Sequence, residues 1–330
     1  MRNSFIRALE EYSQPDTMLL VGDLGFGVVE NFRKKYPNQY INAGVAEQNM
    51  TGLAAGLALG GKKVFTYSIA NFTILRPLEQ IRNDIAYHDL NVTMVSIGGG
   101  LAYGSLGFSH HATEDLAIMR ALPGMTVLAP GDTVEAYEIT KRIIQDDLGP
   151  VYLRLGRAGE ATLHSDASIK DLKIGRALPL VTNGDSTLAI LSTGGMLETA
   201  MNVRNQLLED DIESSIFSFH TLKPFDKKTT YEIFSGFDYV ISLEEHSIIG
   251  GLSSAILESL VGKNNIRLDR YMPFALPAKF ASVVGSQEYL RDFYGISAPK
   301  IVNKVKNYLK REDFHEPISS YISAQESKVY

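Results

Sequence analysis

The sequence predicts an α/β protein of two doubly wound, mostly parallel-sheet domains. Short runs of aliphatic and β-branched residues end in glycine or proline and alternate with longer stretches of helical periodicity. The chain has 330 residues, enough for two domains of ordinary size. A polar, aperiodic stretch over residues 160–173 separates two such alternations. The expected domains are therefore residues 1–165 and 170–310, followed by a polar tail over 311–330.

The opening MRNSFIRALEEYSQ reads as an amphipathic helix with Phe5, Ile6 and Leu9 on one side. Residues 18–21 (MLLV) form a strand that stops at Gly22-Asp23-Leu24-Gly25. Residues 41–56 (INAGVAEQNMTGLAAG) begin strand-like and become a helix of small residues. Residues 63–66 and 92–97 (VTMVSI) read as buried strands, the second stopped by Gly98-Gly99-Gly100. Residues 126–129 end at Pro130-Gly131, a helix over 132–145 presents Val134, Tyr137, Ile139 and Ile143, and 151–155 (VYLRL) is the next strand. In the second half, 187–191 (TLAIL) runs into Ser192-Thr193-Gly194-Gly195 and a helix over 197–208. Strands follow at 215–219 and at 239–243, which is expected to end before Glu244-Glu245-His246 and Gly250-Gly251. A last strand is expected at 266–271.

Hydrophobic residues make up 45% of the chain and charged residues 21%, an ordinary globular balance. A net charge of -6 points to neither nucleic acid nor an anionic membrane. With no cysteine there are no disulfides, thiolate metal sites or cysteine nucleophiles, which fits a reducing compartment. No signal-peptide core and no run of membrane-spanning length stands in the sequence, so the expected location is cytoplasmic.

Ligands of open parallel sheets bind beyond the carboxyl ends of the strands, so the loops after Val21, Ile97, Ala129, Leu191 and Leu243 are where chemistry is expected. Glu47 stands at the mouth of the small-residue helix, among Gly44, Ala46, Gly52, Ala54 and Ala55, where another backbone or a flat ligand can approach. A carboxylate there requires a partner, and a nitrogen heterocycle fits. It reads equally well as a helix-start acid favoured by the helix dipole. The long glycine-rich loop 96–115 ends in His110-His111, and His110 is the preferred proton carrier. No third ligand at a characteristic spacing supports a metal site. Arg2 and Arg157 lie at element ends and suit a phosphate or carboxylate, although a solvated surface role fits either alone. Phe72 and Tyr67 offer faces for stacking, or simply core packing.

Taken in order, GDLG at Gly22, INAGVAEQNM at Ile41, EQIRNDIAYHDLNV at Glu79, SHHATEDLAIMRALPGMTVLAPGD at Ser109, FHTLKPFD at Phe219 and LEEHSIIGGLSSAI at Leu243 resemble the carboxyl-terminal half of transketolase. The likeness extends to about Lys310 and keeps motif order. It implies a pyrimidine-binding domain of the thiamine-diphosphate-binding fold followed by the transketolase C-terminal domain. Deoxyxylulose-phosphate synthase and the β subunits of 2-oxo-acid dehydrogenases share this plan and are the alternative activities. The resemblance implies thiamine diphosphate as cofactor. Glu47 would hydrogen-bond its pyrimidine ring and favour the imino tautomer that makes thiazolium C2 a nucleophile. Asp23 matches an acidic residue after the first strand and is expected at the cofactor with Phe72 and Arg76. His110 matches a retained histidine and Arg2 and Arg157 match phosphate-contacting arginines, and these three with His111 are expected at the substrate.

Other positions depart from that pattern. Gly98-Gly99 replace a His-Asp pair, Ser105-Leu106 replace Glu-Asp, and His111 stands where Gln is common. Thr73 and Arg76 stand near expected aromatic positions, with Phe72 serving instead. The GDG motif that carries diphosphate and Mg²⁺ is missing; Asn183-Gly184-Asp185 is nearest but precedes a second-domain strand. The Mg²⁺ ligands are therefore expected on a second polypeptide, an N-terminal transketolase subunit. The expected assembly is an α2β2 heterotetramer, inactive without that partner, moving a two-carbon ketol unit between sugars. The altered carboxylates imply an unusual or nucleotide-linked sugar.

Overall fold

The structure, a computed structural model, describes residues 1–165, 169–170 and 172–311. The expected tail from residue 312 onward lies outside the described residues, as does part of the expected boundary stretch. The first alternation runs α1 (Arg2–Tyr12), β1 (Thr17–Val21), α2 (Glu30–Lys35), β2 (Tyr40–Asn42), α3 (Glu47–Leu59), β3 (Lys63–Ile69), α4 (Ala70–Leu75) and α5 (Leu78–Gln80). A π-helical turn, Ile81–Ala86, follows, then β4 (Val92–Ile97), α6 (Asp115–Ala121), β5 (Thr126–Leu128), α7 (Thr133–Gln145) and β6 (Val151–Leu155). The second comprises β7 (Leu178–Val181), β8 (Leu188–Ser192), α8 (Met196–Leu208), β9 (Ser214–Ser218), β10 (Thr221–Lys223), α9 (Lys227–Gly236), β11 (Tyr239–Ser247), α10 (Leu252–Leu260), β12 (Tyr271–Leu276), α11 (Gln287–Phe293) and α12 (Ala298–Arg311).

Two mostly parallel sheets result, ordered β10-β5-β6-β4-β3-β1-β2 and β12-β11-β8-β9-β7, in the α/β class that the alternation predicts. The antiparallel pairings are β10 with β5 and β7 with β9. Strands β1, β4 and β6 are buried along their whole length, as continuous apolar runs covered on both faces should be. Phe5, Ile6 and Leu9 of α1 pack with Phe32, Ile139 and Ile143 on one face of the first sheet. The other face shares a core with the second half of the chain: Met94, Met119 and Val127 join Phe219, Leu222, Leu191 and Ile256 in one apolar cluster. Strand β10 is the bridge, since Thr221 and Lys223 pair with Leu128 and Val127 of the first sheet.

Three strand expectations need correction. Strand β11 does not stop at Leu243 but continues through Ser247, so Glu244, Glu245 and His246 are strand residues. The final strand lies at 271–276 rather than 266–271. It contains Pro273 and forms a sheet edge, where a missing N–H is tolerated. Strands β7 and β10 were not expected from the sequence. Among the described residues no helix is long and apolar enough to cross a membrane.

Candidate active site

Glu47 opens α3 directly after the loop that leaves β2, and its side chain is buried. The helix supplies no bulk around it, and its one charged partner comes from α4's end. Arg76 Nη1 donates to Glu47 Oε1 at 2.8 Å and to Oε2 at 2.9 Å. The same guanidinium lies over the Phe72 ring, 4.0 Å from its centroid. Phe72 meets His110 edge-on at 5.1 Å between centroids. His110 in turn stands 6.3 Å from Tyr103, and the Arg157 guanidinium lies 5.1 Å above the Tyr103 ring. Glu47, Arg76, Phe72, His110 and Arg157 thus come together along one wall, built from the segments that follow β2, β3, β4 and β6.

Arg2 contributes charge from α1. Its field and that of Arg157 offset the burial that pushes the Tyr103 phenol upward, and Arg2 Nε is buried without a hydrogen-bond partner among the described residues. Tyr103 is the member that sequence reasoning missed; an aromatic inside a glycine loop was the available signal. The left-handed backbone at Gly98 admits the Tyr103 ring, because a Cβ there would stand 2.1 Å from it. Ser109 Oγ lies 3.0 Å from His110 Nδ1, and Asn71 Nδ2 donates to Ser109 O at 2.6 Å.

Two expected residues sit elsewhere. Asp23, exposed, pairs with Asn42 through a 2.9 Å side-chain bond and lines a hollow with Arg33 and Tyr40. His111 is buried, with both ring nitrogens lacking a hydrogen-bond partner among the described residues. Burial lowers its pKa, against the opposing pull of Glu245 and Glu114. Thr73 turns inward and donates to Ile69 O. Asn183-Gly184-Asp185 forms a turn before β8, with Asn183 Oδ1 accepting from Asp185 N at 3.0 Å.

Behind the wall, a cavity of about 110 Å³ separates the two sheets, lined by Gly99, Arg154, Arg157, Gly194, Glu245 and Arg291 among others. Arg154 crosses it. Its Nε donates to Asp115 Oδ2 at 2.6 Å, and its Nη2 donates to the carbonyls of Ala112 and Glu245, each at 2.9 Å. Glu244 accepts from the N–H groups of Leu252 at 2.7 Å and Ser253 at 2.9 Å, capping α10. Burial still lifts its pKa to about 7.

A second buried cluster joins the halves. Asp132 caps α7 through Val134 N and Glu135 N, and its other oxygen accepts from Leu163 N and His164 N. Burial raises Glu135 to about 7. His220, fully buried, is pushed down to about 4 by burial and by the neighbouring His164, with Asp226 opposing and Thr221 Oγ1 2.9 Å from its Nδ1. The unfolded chain protonates this ring near its ordinary pKa of 6.5 and the folded chain only near 4. The unfolded state therefore binds more protons between those values, and stability falls as pH drops through that window. His220→Gln is expected to remove this loss, about 3 kcal/mol at full extent. Melting temperatures at pH 7 and pH 5 check it: wild type should fall further than the variant. The difference isolates His220, because the raised Glu135 pulls stability the opposite way over the same range.

Comparison with known proteins agrees with this architecture. Residues 1–159 match the family model of the transketolase pyrimidine binding domain, and residues 178–301 that of the transketolase C-terminal domain. A putative transketolase C-terminal section of Methanocaldococcus jannaschii is 35% identical, the match covering 94% of this chain and 97% of that protein. The 6-deoxy-6-sulfo-D-fructose transketolase subunit of a Clostridium species is 34% identical, covering 95% of this chain and 96% of that one. An apulose-4-phosphate transketolase subunit of Phocaeicola vulgatus is 33% identical, with 78% and 83% covered. A solved structure described as a split gene transketolase, an inactive β4 tetramer, superposes with a TM-score of 0.83 at 33% identity, covering 94% of this chain and 98% of that one. The chain therefore belongs to the transketolase family and corresponds to its C-terminal half.

Proposed function

We propose that this chain is the pyrimidine-binding subunit of a two-chain, thiamine-diphosphate-dependent transketolase that moves a two-carbon ketol unit between sugars bearing an anionic end. One observation carries the reading. The Arg76 guanidinium, a flat group bristling with N–H donors, rests on Phe72 and bonds both oxygens of the buried Glu47. A site that accepts such a group suits a planar aminopyrimidine, which needs a ring face and a carboxylate for its nitrogen. Glu47 and Phe72, with Arg76 beside them, would hold that ring. When bound, the cofactor supplies a nucleophilic carbon that takes up the two-carbon unit and hands it on.

This chain's residues do the rest. Glu47 holds a hydrogen bond or a proton at the pyrimidine nitrogen, and its burial strengthens that bond by excluding water. His110 faces the reacting region and can pass a proton to or from a sugar hydroxyl. Arg157 and Arg2 grip the sugar's phosphate or sulfonate at the far end. Mg²⁺ and the diphosphate belong to the partner; among the described residues no group of three or more His, Asp or Glu side chains could hold a metal ion. The proposed assembly is α2β2. An inactive β4 tetramer, reported for the 33%-identical split gene transketolase, is what a section deprived of its other half would form.

The test is reconstitution with the chain that carries the diphosphate-binding half. Calorimetry should record thiamine diphosphate uptake by the mixture and not by this chain alone, with native mass corresponding to two copies of each. No uptake by the mixture overturns the reading. Xylulose 5-phosphate with ribose 5-phosphate should turn over at least tenfold more slowly than one of 6-deoxy-6-sulfo-D-fructose or apulose 4-phosphate, because Ser105-Leu106 and Gly98-Gly99 leave donor hydroxyls without partners. Equal or faster turnover of the ordinary pentose pair refutes the unusual donor.

A further inference from the structure

Glu245 is a buried carboxylate on β11, in the second sheet, yet its side chain ends in the loop that carries Tyr103 and His110. Its Oε1 accepts the backbone N–H of Leu101 at 2.6 Å. Gln287 Nε2 donates to Oε1 at 2.8 Å and to Oε2 at 3.1 Å, and Arg291 Nε donates to Oε2. One carboxylate thus ties three segments: the glycine loop, β11 and α11. Its own carbonyl shares Arg154 Nη2 with the carbonyl of Ala112, at the loop's far end. The two ends of the loop are zipped to each other by Gly100 N to Ala112 O at 2.8 Å and Ala112 N to Gly100 O at 3.0 Å. Ser247 N donates to Thr113 O at 2.8 Å, extending the seam.

The approach is close enough to dictate a residue. Gly100 has φ +67°, and a Cβ there would stand 2.4 Å from Glu245 Oε1. Leu101 lies two residues before Tyr103, whose ring is held between Gly98 and Arg157. Ala112 lies two residues after His110, whose ring meets Phe72. Both wall residues therefore hang from a frame whose fixed point belongs to the other sheet.

We infer that Glu245 is a positioning residue: its side chain fixes the start of the loop over residues 100–112 at Leu101, the Gly100–Ala112 pairing carries that anchor to the far end, and together they set where Tyr103 and His110 stand, and so how well the sugar is held. The inference rests on the transketolase reading of the site. Glu245 touches none of the groups placed at the cofactor, so its influence falls on sugar binding more than on cofactor uptake.

The test uses the assembled two-chain enzyme with whichever of xylulose 5-phosphate, 6-deoxy-6-sulfo-D-fructose or apulose 4-phosphate the wild type turns over. Glu245→Ala should raise the KM for that sugar at least tenfold, lower kcat less than threefold, and leave the thiamine diphosphate Kd within twofold. Glu245→Gln keeps an acceptor oxygen for Leu101 N–H and should recover most of the KM. Gln287→Ala, which withdraws one donor without stranding a buried charge, should raise KM two- to fivefold and serves if Glu245→Ala does not fold. An unchanged KM in Gln287→Ala, and in Glu245→Ala where that variant folds, overturns the inference while the transketolase reading stands. So does a parallel fall of kcat and cofactor affinity. A wild-type assembly that binds no thiamine diphosphate, or turns over none of the three sugars, brings down both.

Discussion

Glu47→Gln, in the assembled enzyme, should lower kcat by about two to four orders of magnitude, the range that positioned acid–base groups contribute. Glutamine keeps the length and shape of the side chain, so α3 should start where it does now. What it loses is the negative charge that, on the proposed reading, would face the pyrimidine nitrogen and favour the reactive tautomer. The structural cost should be small. Arg76, the present partner, is 46% exposed on its side chain and keeps its seat on Phe72, so water can satisfy it. Steady-state kinetics beside a thermal melt separate the two effects. A kcat within tenfold of wild type removes Glu47 from the chemistry. A collapse of the melt would assign it to the fold instead.

Arg154→Met should be the most damaging single change to stability. Its guanidinium is the donor for Asp115, which is fully buried and also accepts the Tyr152 hydroxyl at 2.6 Å. Burial works against the guanidinium's charge, but Asp115, with Tyr152 and Glu245, more than offsets it and together they hold the arginine's pKa above its usual value. Breaking such a pair strands a carboxylate in the interior and costs about 3–5 kcal/mol. Two carbonyls, of Ala112 and Glu245, lose their donor in the same step. A drop in melting temperature on the order of 10 °C is expected. Adding Asp115→Asn removes the stranded charge while leaving an acceptor for Tyr152, and should restore part of the loss. If the double variant is no more stable than Arg154→Met, the ion pair is not the cause.

Much of this molecule is written in local patterns, and the failures have a common origin. Strands such as VTMVSI and VYLRL declare themselves because a fully covered parallel strand is apolar along its length. The same rule misplaced the end of β11. Two glutamates and a histidine look like the start of a loop, since a carboxylate inside a sheet is costly without donors. The donors exist, but they come from Leu101, Leu252, Ser253 and Gln287, distant in sequence or on other elements. Arg154 carried a legible warning: a charge in the middle of an apolar strand demands a partner, although nothing local says it is Asp115. β10 is three residues long and antiparallel, too short for any periodicity to register.

The wall of the candidate site is more legible in local sequence than its frame. Glu47, Phe72, Arg76 and His110 lie in short motifs, and the fold gathers them. Arg76, displaced from an aromatic position by the sequence pattern, proves to be the group lying on Phe72 and bonded to Glu47. Tyr103 escaped notice because its role depends on the backbone at Gly98, which only three-dimensional proximity reveals.

Strand β10 carries a mechanical consequence. A piece of the second lobe is woven into the first lobe's sheet, and one apolar cluster is continuous beneath it. Bending such a joint would break the β10–β5 pairing and open the shared apolar cluster, so the two lobes resist moving apart. On the two-chain reading proposed above, admission and release of sugar would then be timed at the seam with the companion polypeptide, and the clock of the assembled enzyme would be set by how that seam breathes.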